Sequence, residues 1–433
     1  MQSRLFYVKD ILKMAFPIML GNLGFIMIGV GDVIVAGRHS TDTLAAISLA
    51  TAITNCLMMF GIGILASISS VLSNYRGEKK DAKTYFYPSL KFAMILAFIT
   101  MCMILSCIPL IDKIGFEPKL VPIIKDYFFI TAFASFGGYL HCMVKEFLQA
   151  HEVVIFPNVL TIFCIFLNLG LNILFVFGCG IIPEMGAIGL AISSLIVRYF
   201  MGIVLLIYTL IKFRVGSNKD CTYFKDLLKV GVPASFAIMI EFIAFNIVSV
   251  VMGRVSGIYA AAHNILTTLT SVTFMIPFAF AVSTSVKVGY SNGKKDYSTL
   301  KNYAWTGLSM CAVVMSLASI IIALCPNFLI SLFTKDSDLI KVCVPILAVV
   351  CYFQVFDGLQ VALSGIFRGM KNTTVVMITN LISYWFISFP IGYYLGIKLN
   401  MNLMGFWLGI IIAAVFLCST MIICLVRKFN KLS

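Results

Sequence analysis

The sequence predicts an all-α integral membrane protein, with twelve transmembrane helices in two pseudo-symmetric six-helix lobes. Three observations carry that prediction. First, 61% of the 433 residues are hydrophobic and only 12% are charged, against roughly 45–50% and about 25% in soluble domains. A soluble fold has no interior large enough to hide so much apolar surface, and the exposed remainder would aggregate. The mean hydropathy of +1.01 agrees. Second, charged and turn-rich breaks divide the chain into twelve apolar stretches, each near the ~20 residues that a helix needs to cross about 30 Å of hydrocarbon. Third, the first half of the chain recurs in the second at an offset of 216 residues.

In chain order the stretches are 11–36, 44–72, 92–112, 121–143, 154–178, 186–211, 230–253, 258–286, 303–325, 342–366, 374–396 and 403–426. Helix is the form each must take, because lipid offers no partner to an open backbone N–H or C=O. The first stretch is long enough to span, and no small-residue cleavage site follows it, so a signal peptide is not expected. Pro17 and Pro233 lie a turn or so inside helices 1 and 7, where bends would serve either as hinges or as plain kinks toward lipid. Thirteen cysteines, without a CxxC pair, are spread from Cys56 to Cys424. Most sit in apolar stretches as small hydrophobes, so neither a disulfide framework nor a zinc cluster is expected.

The breaks between helices orient the chain. With the N-terminus in the cytoplasm, 23 of the 32 Lys and Arg fall on the cytoplasmic side and 8 on the other, while Arg198 lies within a span. The positive-inside rule therefore puts both termini in the cytoplasm. It also accounts for the net charge of +14 without a nucleic-acid partner.

The repeat sets the domain organisation. Residues 7–79 align without a gap onto 223–295, with 19 identities in 73 positions. Tyr7, Lys9, Asp10, Lys13 and Pro17 meet Tyr223, Lys225, Asp226, Lys229 and Pro233. Gly37-Arg38 meets Gly253-Arg254, and Gly77 and Lys79 meet Gly293 and Lys295. Shared apolar bias cannot hold Lys, Asp, Pro, Gly and Arg in register. The expected lobes are 1–211 and 230–433, joined by a cytoplasmic connection over 212–229. Parallel repeats of this kind suit a secondary transporter, in which a cavity between lobes opens to alternate sides.

Three carboxylates lie deep within spans: Asp32 in helix 1, Glu241 in helix 7 and Asp357 in helix 10. A charge in hydrocarbon costs at least about 2.5–3.5 kcal/mol, so such groups usually face a cavity and act there. The alternative is a structural carboxylate satisfied by neighbouring polar groups. At the repeat offset Glu241 meets Phe25 and Asp32 meets Val248, so neither has an acidic counterpart. A carboxyl taken out of water can load and release a proton near neutral pH, whereas paired carboxylates with other oxygens suit a hard cation such as sodium. Glu241 and Asp357 are the possible Na+ ligands. An acidic cavity also attracts cationic compounds. Asn168 and Asn172, Ser194 and Asn246 are supporting polar candidates. His263 and Arg198 are read as joining helices.

Two motifs are decoys. Gly29-Val30-Gly31-Asp32 matches the GxGD of intramembrane aspartyl proteases, but the Tyr-Asp and Pro-Ala-Leu partners are absent. Gly289 to Lys294 resembles a phosphate loop with short spacing, and Lys295 replaces the required Ser or Thr. No HExxH occurs. No enzyme activity is expected.

Along its whole length the chain resembles the multidrug and toxic compound extrusion (MATE) transporters, nearest their NorM-like branch. The resemblance rests on Pro17, Asp32-Val33-Ile34-Val35-Ala36-Gly37 and Leu44-Ala45-Ala46. It continues through Asn168 to Asn172, Phe175-Val176-Phe177-Gly178 and Pro183-Glu184-Met185-Gly186-Ala187-Ile188-Gly189. In the second half it rests on Pro233 with Glu241, and on Asp357-Gly358 with Phe367-Arg368-Gly369-Met370-Lys371-Asn372-Thr373. The resemblance implies a V-shaped pair of lobes and export of cationic organic compounds in exchange for Na+ or H+. It implies a cation site at Glu241 and Asp357, and an N-terminal site in which Asp32 joins Asn168 and position 172. Position 172 is Asn where the DinF-like branch has Asp. Phe353 stands where some relatives have a Tyr of the sodium shell.

The expected function is multidrug antiport in a cell inner membrane by a monomer, with no cofactor beyond the coupling ion. A lipid-linked substrate flippase of the same superfamily is the alternative, and an intramembrane protease the remote one. A flippase for phosphate-bearing substrates would favour several cationic residues at the cavity, and only Arg198 lies deep in a span.

Overall fold

The computed structural model describes residues 4–180, 182–218, 220 and 222–432. Among these, twelve helical segments are long and apolar enough to cross a membrane: α1 (Arg4–His39), α2 (Thr41–Gly77), α3 (Ala82–Lys113), α4 (Val121–Ala150), α5 (Ile155–Phe177), α6 (Gly186–Lys212), α7 (Thr222–Val255), α8 (Gly257–Gly293), α9 (Tyr297–Leu324), α10 (Ser337–Gly369), α11 (Thr373–Lys398) and α12 (Asn402–Lys431). The chain is a multi-pass membrane protein, and the twelve expected spans are all present. No strand forms among the described residues; Cys179 and Ile182 make one isolated antiparallel bridge. Large apolar side chains are left outermost, among them Phe166 at 71% and Leu324 at 75% exposure, as a lipid-facing surface requires.

Several helices outrun their apolar stretches. The fourth ends at Ala150 rather than at 143, and the eighth at Gly293 rather than at 286. Lys145 and Lys287, expected in cytoplasmic breaks, therefore ride on helices. Hydropathy marks only the lipid-immersed part, while the backbone stays helical as long as polar side chains find partners. Past Leu381, α11 departs from α geometry in two π-helical stretches, Ile382–Ser388 and Tyr394–Lys398.

The repeat is visible in local geometry. Ser40 caps α2 by accepting from the Thr43 amide at 3.0 Å. Its repeat partner Ser256 caps α8 from the Ile258 amide at 3.4 Å. A Ser N-cap satisfies an amide that the helix itself cannot. Past α2 and α8, Lys79 and Lys295 both take positive φ, 61° and 59°. The next residue's amide then returns to Tyr75 and Ser291 respectively, each at 3.0 Å.

By contacts the chain divides into two units, Leu20–Ser235 and Met1–Met19 with Phe236–Ser433. The divisions fall within α1 and α7, two residues past Pro17 and Pro233. Each unit thus includes the leading part of the other repeat's first helix.

In the unit Leu20–Ser235, the core joins Phe86, Phe128, Tyr139, Phe147 and Leu205. The leading part of α7 is seated by Ser67, whose hydroxyl donates to the Leu227 carbonyl at 3.3 Å. Tyr75 donates to Asp226 at 3.3 Å, and Ser89 meets the Tyr223 hydroxyl at 2.6 Å.

In the other unit the leading part of α1 is seated the same way. Ser283, the repeat partner of Ser67, donates to the Ile11 carbonyl at 3.0 Å. Asp10 pairs with the Lys287 ammonium at 2.8 Å and accepts from the Tyr303 hydroxyl at 2.6 Å. Helices α8 and α10 meet closely through a small-xxx-small pair. A Cβ on Gly365 would strike the Ala281 carbonyl, and one on Gly369 would lie 2.6 Å from the Ser285 carbonyl.

Candidate functional site

Two polar clusters stand inside the helical layers, one per unit. In Leu20–Ser235 the cluster centres on Asp32 of α1. Asn172 of α5 donates to Asp32 Oδ1 at 2.6 Å and lies 3.1 Å from Asn168 Oδ1, one turn away. Ser194 of α6 donates to Asp32 Oδ2 at 3.3 Å. Four residues named from sequence are thus one assembly, because the i,i+4 spacing of Asn168 and Asn172 turns both toward α1. Asn168 and Asn172 are buried, at 1% and 0% exposure. Asn172 Oδ1 has no partner among the described residues, which leaves one acceptor at the cluster.

Arg198 belongs to this neighbourhood too. Its charge acts on Asp32, and its Nη1 meets the Met58 sulfur at 3.1 Å. Ser194 and Arg198 are one turn apart on α6, which brings the guanidinium toward the carboxylate.

In the other unit Glu241 of α7 is held by two side chains that sequence reasoning missed. Gln360 of α10 donates from Nε2 to Glu241 Oε2 at 2.9 Å. The Tyr384 hydroxyl of α11 stands 3.2 Å from Glu241 Oε1 and 3.1 Å from Gln360 Oε1. Gln360 and Tyr384 are 2% and 1% exposed. Asp357 is buried on the same helix as Gln360, and the Glu241 charge acts on it. Gln360 was within reach of sequence reasoning, since it follows Asp357 by three on a helix. Tyr384 was not, because it sits in the π-helical stretch Ile382–Ser388. An extra residue per turn there shifts the side-chain register away from helical spacing, a feature common at functional sites.

Asn246, expected as a supporting polar group, stands apart from the Glu241 cluster. Its amide donates to the Phe242 carbonyl of its own helix at 2.7 Å. Five positions on from Glu241 is about 140° around the helix, so the two face differently. His263 has a structural contact, with Nε2 at 3.1 Å from the Phe245 carbonyl and the ring 5.7 Å from Trp407. Phe353 packs against the same Trp407, at 5.7 Å between centroids, and brings no oxygen to the acids.

No group of three or more His, Cys, Asp or Glu side chains gathers around a metal position among the described residues. A cation at Glu241 and Asp357 would have to complete its shell with neutral oxygens. The cluster can hold a proton as it stands. With the proton on Glu241 Oε1, Glu241 donates to Tyr384, Tyr384 to Gln360 Oε1, and Gln360 to Glu241 Oε2. Each of the three then both donates and accepts. With Glu241 ionised, the single Tyr384 proton faces two acceptors, and one of them goes without.

Comparison with known proteins follows the same division of the chain. The MatE family model matches residues 17–174 and 233–394, so the two matches start at Pro17 and Pro233. A "Probable multidrug resistance protein NorM" from Xylella fastidiosa (strain 9a5c) is 30% identical over 417 residues, covering 94% of this chain and 88% of that protein. A "Multidrug resistance protein NorM" from Photobacterium profundum is 26% identical over 418 residues, covering 93% and 92%. A crystal structure of MATE in the straight conformation superposes with a TM-score of 0.89 at 17% identity, over 98% of this chain and 96% of that one. At that identity the likeness speaks for the fold.

Proposed function

The chain belongs to the MatE family, and from that premise we propose that it exports cationic or amphipathic organic compounds from the cell in exchange for an inward-moving cation. The relatives carrying the NorM name are multidrug resistance proteins, which supports multidrug efflux as the class of activity. The carboxylates within the spans, Asp32, Glu241 and Asp357, are the groups that exchange the coupling ion, since a charge placed among apolar helices at this cost is kept for use. The distribution of Lys and Arg, 23 against 8, supports cytoplasmic termini, and we place the protein in a cell inner membrane. We take the working unit to be a monomer.

One observation carries the choice of ion: the Glu241–Tyr384–Gln360 triangle has one donor too few unless Glu241 brings a proton. A buried polar network is most stable when every member is satisfied, and each unmet group is costly. Proton loading therefore closes the ring, and proton release opens it and leaves a carboxylate free to attract a cationic substrate. Exchange follows, because substrate and proton compete for one negative charge. Sodium is the second reading. To coordinate it, Gln360 would turn its carbonyl rather than its amide toward the ion, and Glu241 with Asp357 would supply charged oxygens.

The test is purified protein in liposomes loaded with a cationic dye, with pH and sodium gradients imposed separately. Dye movement driven by a proton gradient alone is expected. Movement that follows sodium alone would overturn the proton reading, and movement that requires ATP would overturn antiport.

A further inference from the structure

The unit Leu20–Ser235 contains a basic stripe that the acid-centred reading leaves unused. On α4, Tyr127, Thr131, Gly138, His141 and Lys145 follow one another at spacings of four, seven, three and four, and so share one face. Lys145 reaches the Asn22 side chain of α1, with Nζ 3.4 Å from Oδ1. Arg198 of α6 packs on the stripe at Gly138, where an added Cβ would lie 3.8 Å from Arg198 Cδ. The charges of Lys145 and Arg198 both act on the His141 ring. The three bases thus lie within electrostatic reach of each other.

Polar atoms in this stripe lack partners. His141 Nε2 and Asn22 Nδ2 make no hydrogen bond among the described residues, although the side chains are only 7% and 9% exposed. Arg198 meets a thioether at Met58, a weak acceptor. An unmet donor in a buried place costs about 1–3 kcal/mol, so a ligand that accepts from several of them has much to gain. The acids nearby are Asp32, one turn of α6 away at Ser194, and Glu146, whose charge acts on Lys145.

We propose that His141, Lys145, Arg198 and the Asn22 amide receive an oxyanion, a carboxylate or phosphate, borne by an amphiphilic molecule whose cationic end rests at Asp32. Asp32 and Asn22 are ten residues apart on α1, about 15 Å along the axis, a span that suits a drug-sized zwitterion. The proposal deepens the transport reading above and rests on it for the identity of the ligand as cargo. It answers the sequence-based objection that Arg198 alone is deep in a span, since α4 carries His141 and Lys145 to the same place.

The test is equilibrium binding to the purified full-length protein in phosphatidylcholine nanodiscs. No gradient is applied, so failure of ion coupling does not affect it. The probes are tetramethylrhodamine, which has a free carboxylate, and its methyl ester, which keeps the cation alone. Wild type is expected to bind the acid at least as tightly as the ester. Lys145→Gln is expected to weaken the acid about tenfold and the ester less than about twofold, as loss of one charge-assisted bond implies. Equal weakening of both probes, or a wild type that rejects the acid about tenfold relative to the ester, would overturn the proposal. The wild-type comparison stands even where a variant fails to fold. A second set of discs containing phosphatidylglycerol separates the two sources of an oxyanion. Undiminished acid binding assigns the site to cargo, and competition that Lys145→Gln removes assigns it to the lipid headgroup.

Discussion

Tyr384 places its hydroxyl 3.2 Å from Glu241 and 3.1 Å from Gln360, one proton shared between two acceptors. Removing that proton breaks the ring from one side. Tyr384→Phe leaves Gln360 Oε1 buried and unmet, at about 1–3 kcal/mol. We expect a lower melting temperature and at least about tenfold slower proton-driven dye export, with dye binding kept. Export at the wild-type rate would dismiss the ring as the coupling device.

Glu241→Gln keeps the shape of the ring and removes the exchangeable proton. The variant should bind dye weakly and fail to couple export to a pH gradient. Full proton-driven export by Glu241→Gln would move the coupling to Asp32 or Asp357.

Asn172→Asp would set a second carboxylate against Asp32, where the amide now donates at 2.6 Å. Like charges at that distance share one proton. Above the pH at which the shared proton leaves, the pair repels, so stability is expected to fall as pH rises. Melting curves at several pH values check this, and a melting temperature that tracks wild type throughout would contradict it.

The Asp10–Lys287 pair seats the leading part of α1. Lys287→Met strands Asp10 beside Tyr303, at a cost of about 2 kcal/mol. That is less than the roughly 3–5 kcal/mol for a fully buried pair, because Asp10 remains 22% exposed. Thermal unfolding in detergent, with Asp10→Asn and the double variant, measures the coupling. Additive effects would show that the pair contributes nothing.

Outside the spanning segments, His151 caps α4 between the Phe147 and Phe213 rings. Burial pushes its pKa down from 6.5 to about 4, against the Phe147 carbonyl that accepts from Nδ1 and with the Arg76 and Lys83 charges adding to the fall. The unfolded chain therefore takes up a proton first as pH drops. Stability from this residue is full above about 6.5, is lost progressively toward about 4, and levels off below. His151→Gln should show a smaller fall in melting temperature between those limits than wild type.

What the sequence determined by itself is what lipid and local spacing dictate. Backbone satisfaction in hydrocarbon forces each long apolar stretch into a helix, so all twelve spans were legible. The repeat at 216 residues was legible because Ser40 and Ser256, or Lys79 and Lys295, do the same capping and turning work in both halves. Asp32, Asn168, Asn172 and Ser194 were legible as rare polar groups in apolar helices. Tertiary structure alone decided the rest. That Ser67 grips Leu227 and Ser283 grips Ile11 joins residues 160 and 272 positions apart, a choice made by packing and not by any local pattern. Tyr384 reaches Glu241 through a π-helical register that no 3.6-residue period foretells. Lys145 sits on a helix and meets Asn22 of another helix, whereas its sequence neighbours mark it as a loop charge. Hydropathy reports where each residue stands relative to lipid; which polar groups meet there depends on contacts between helices distant in the chain.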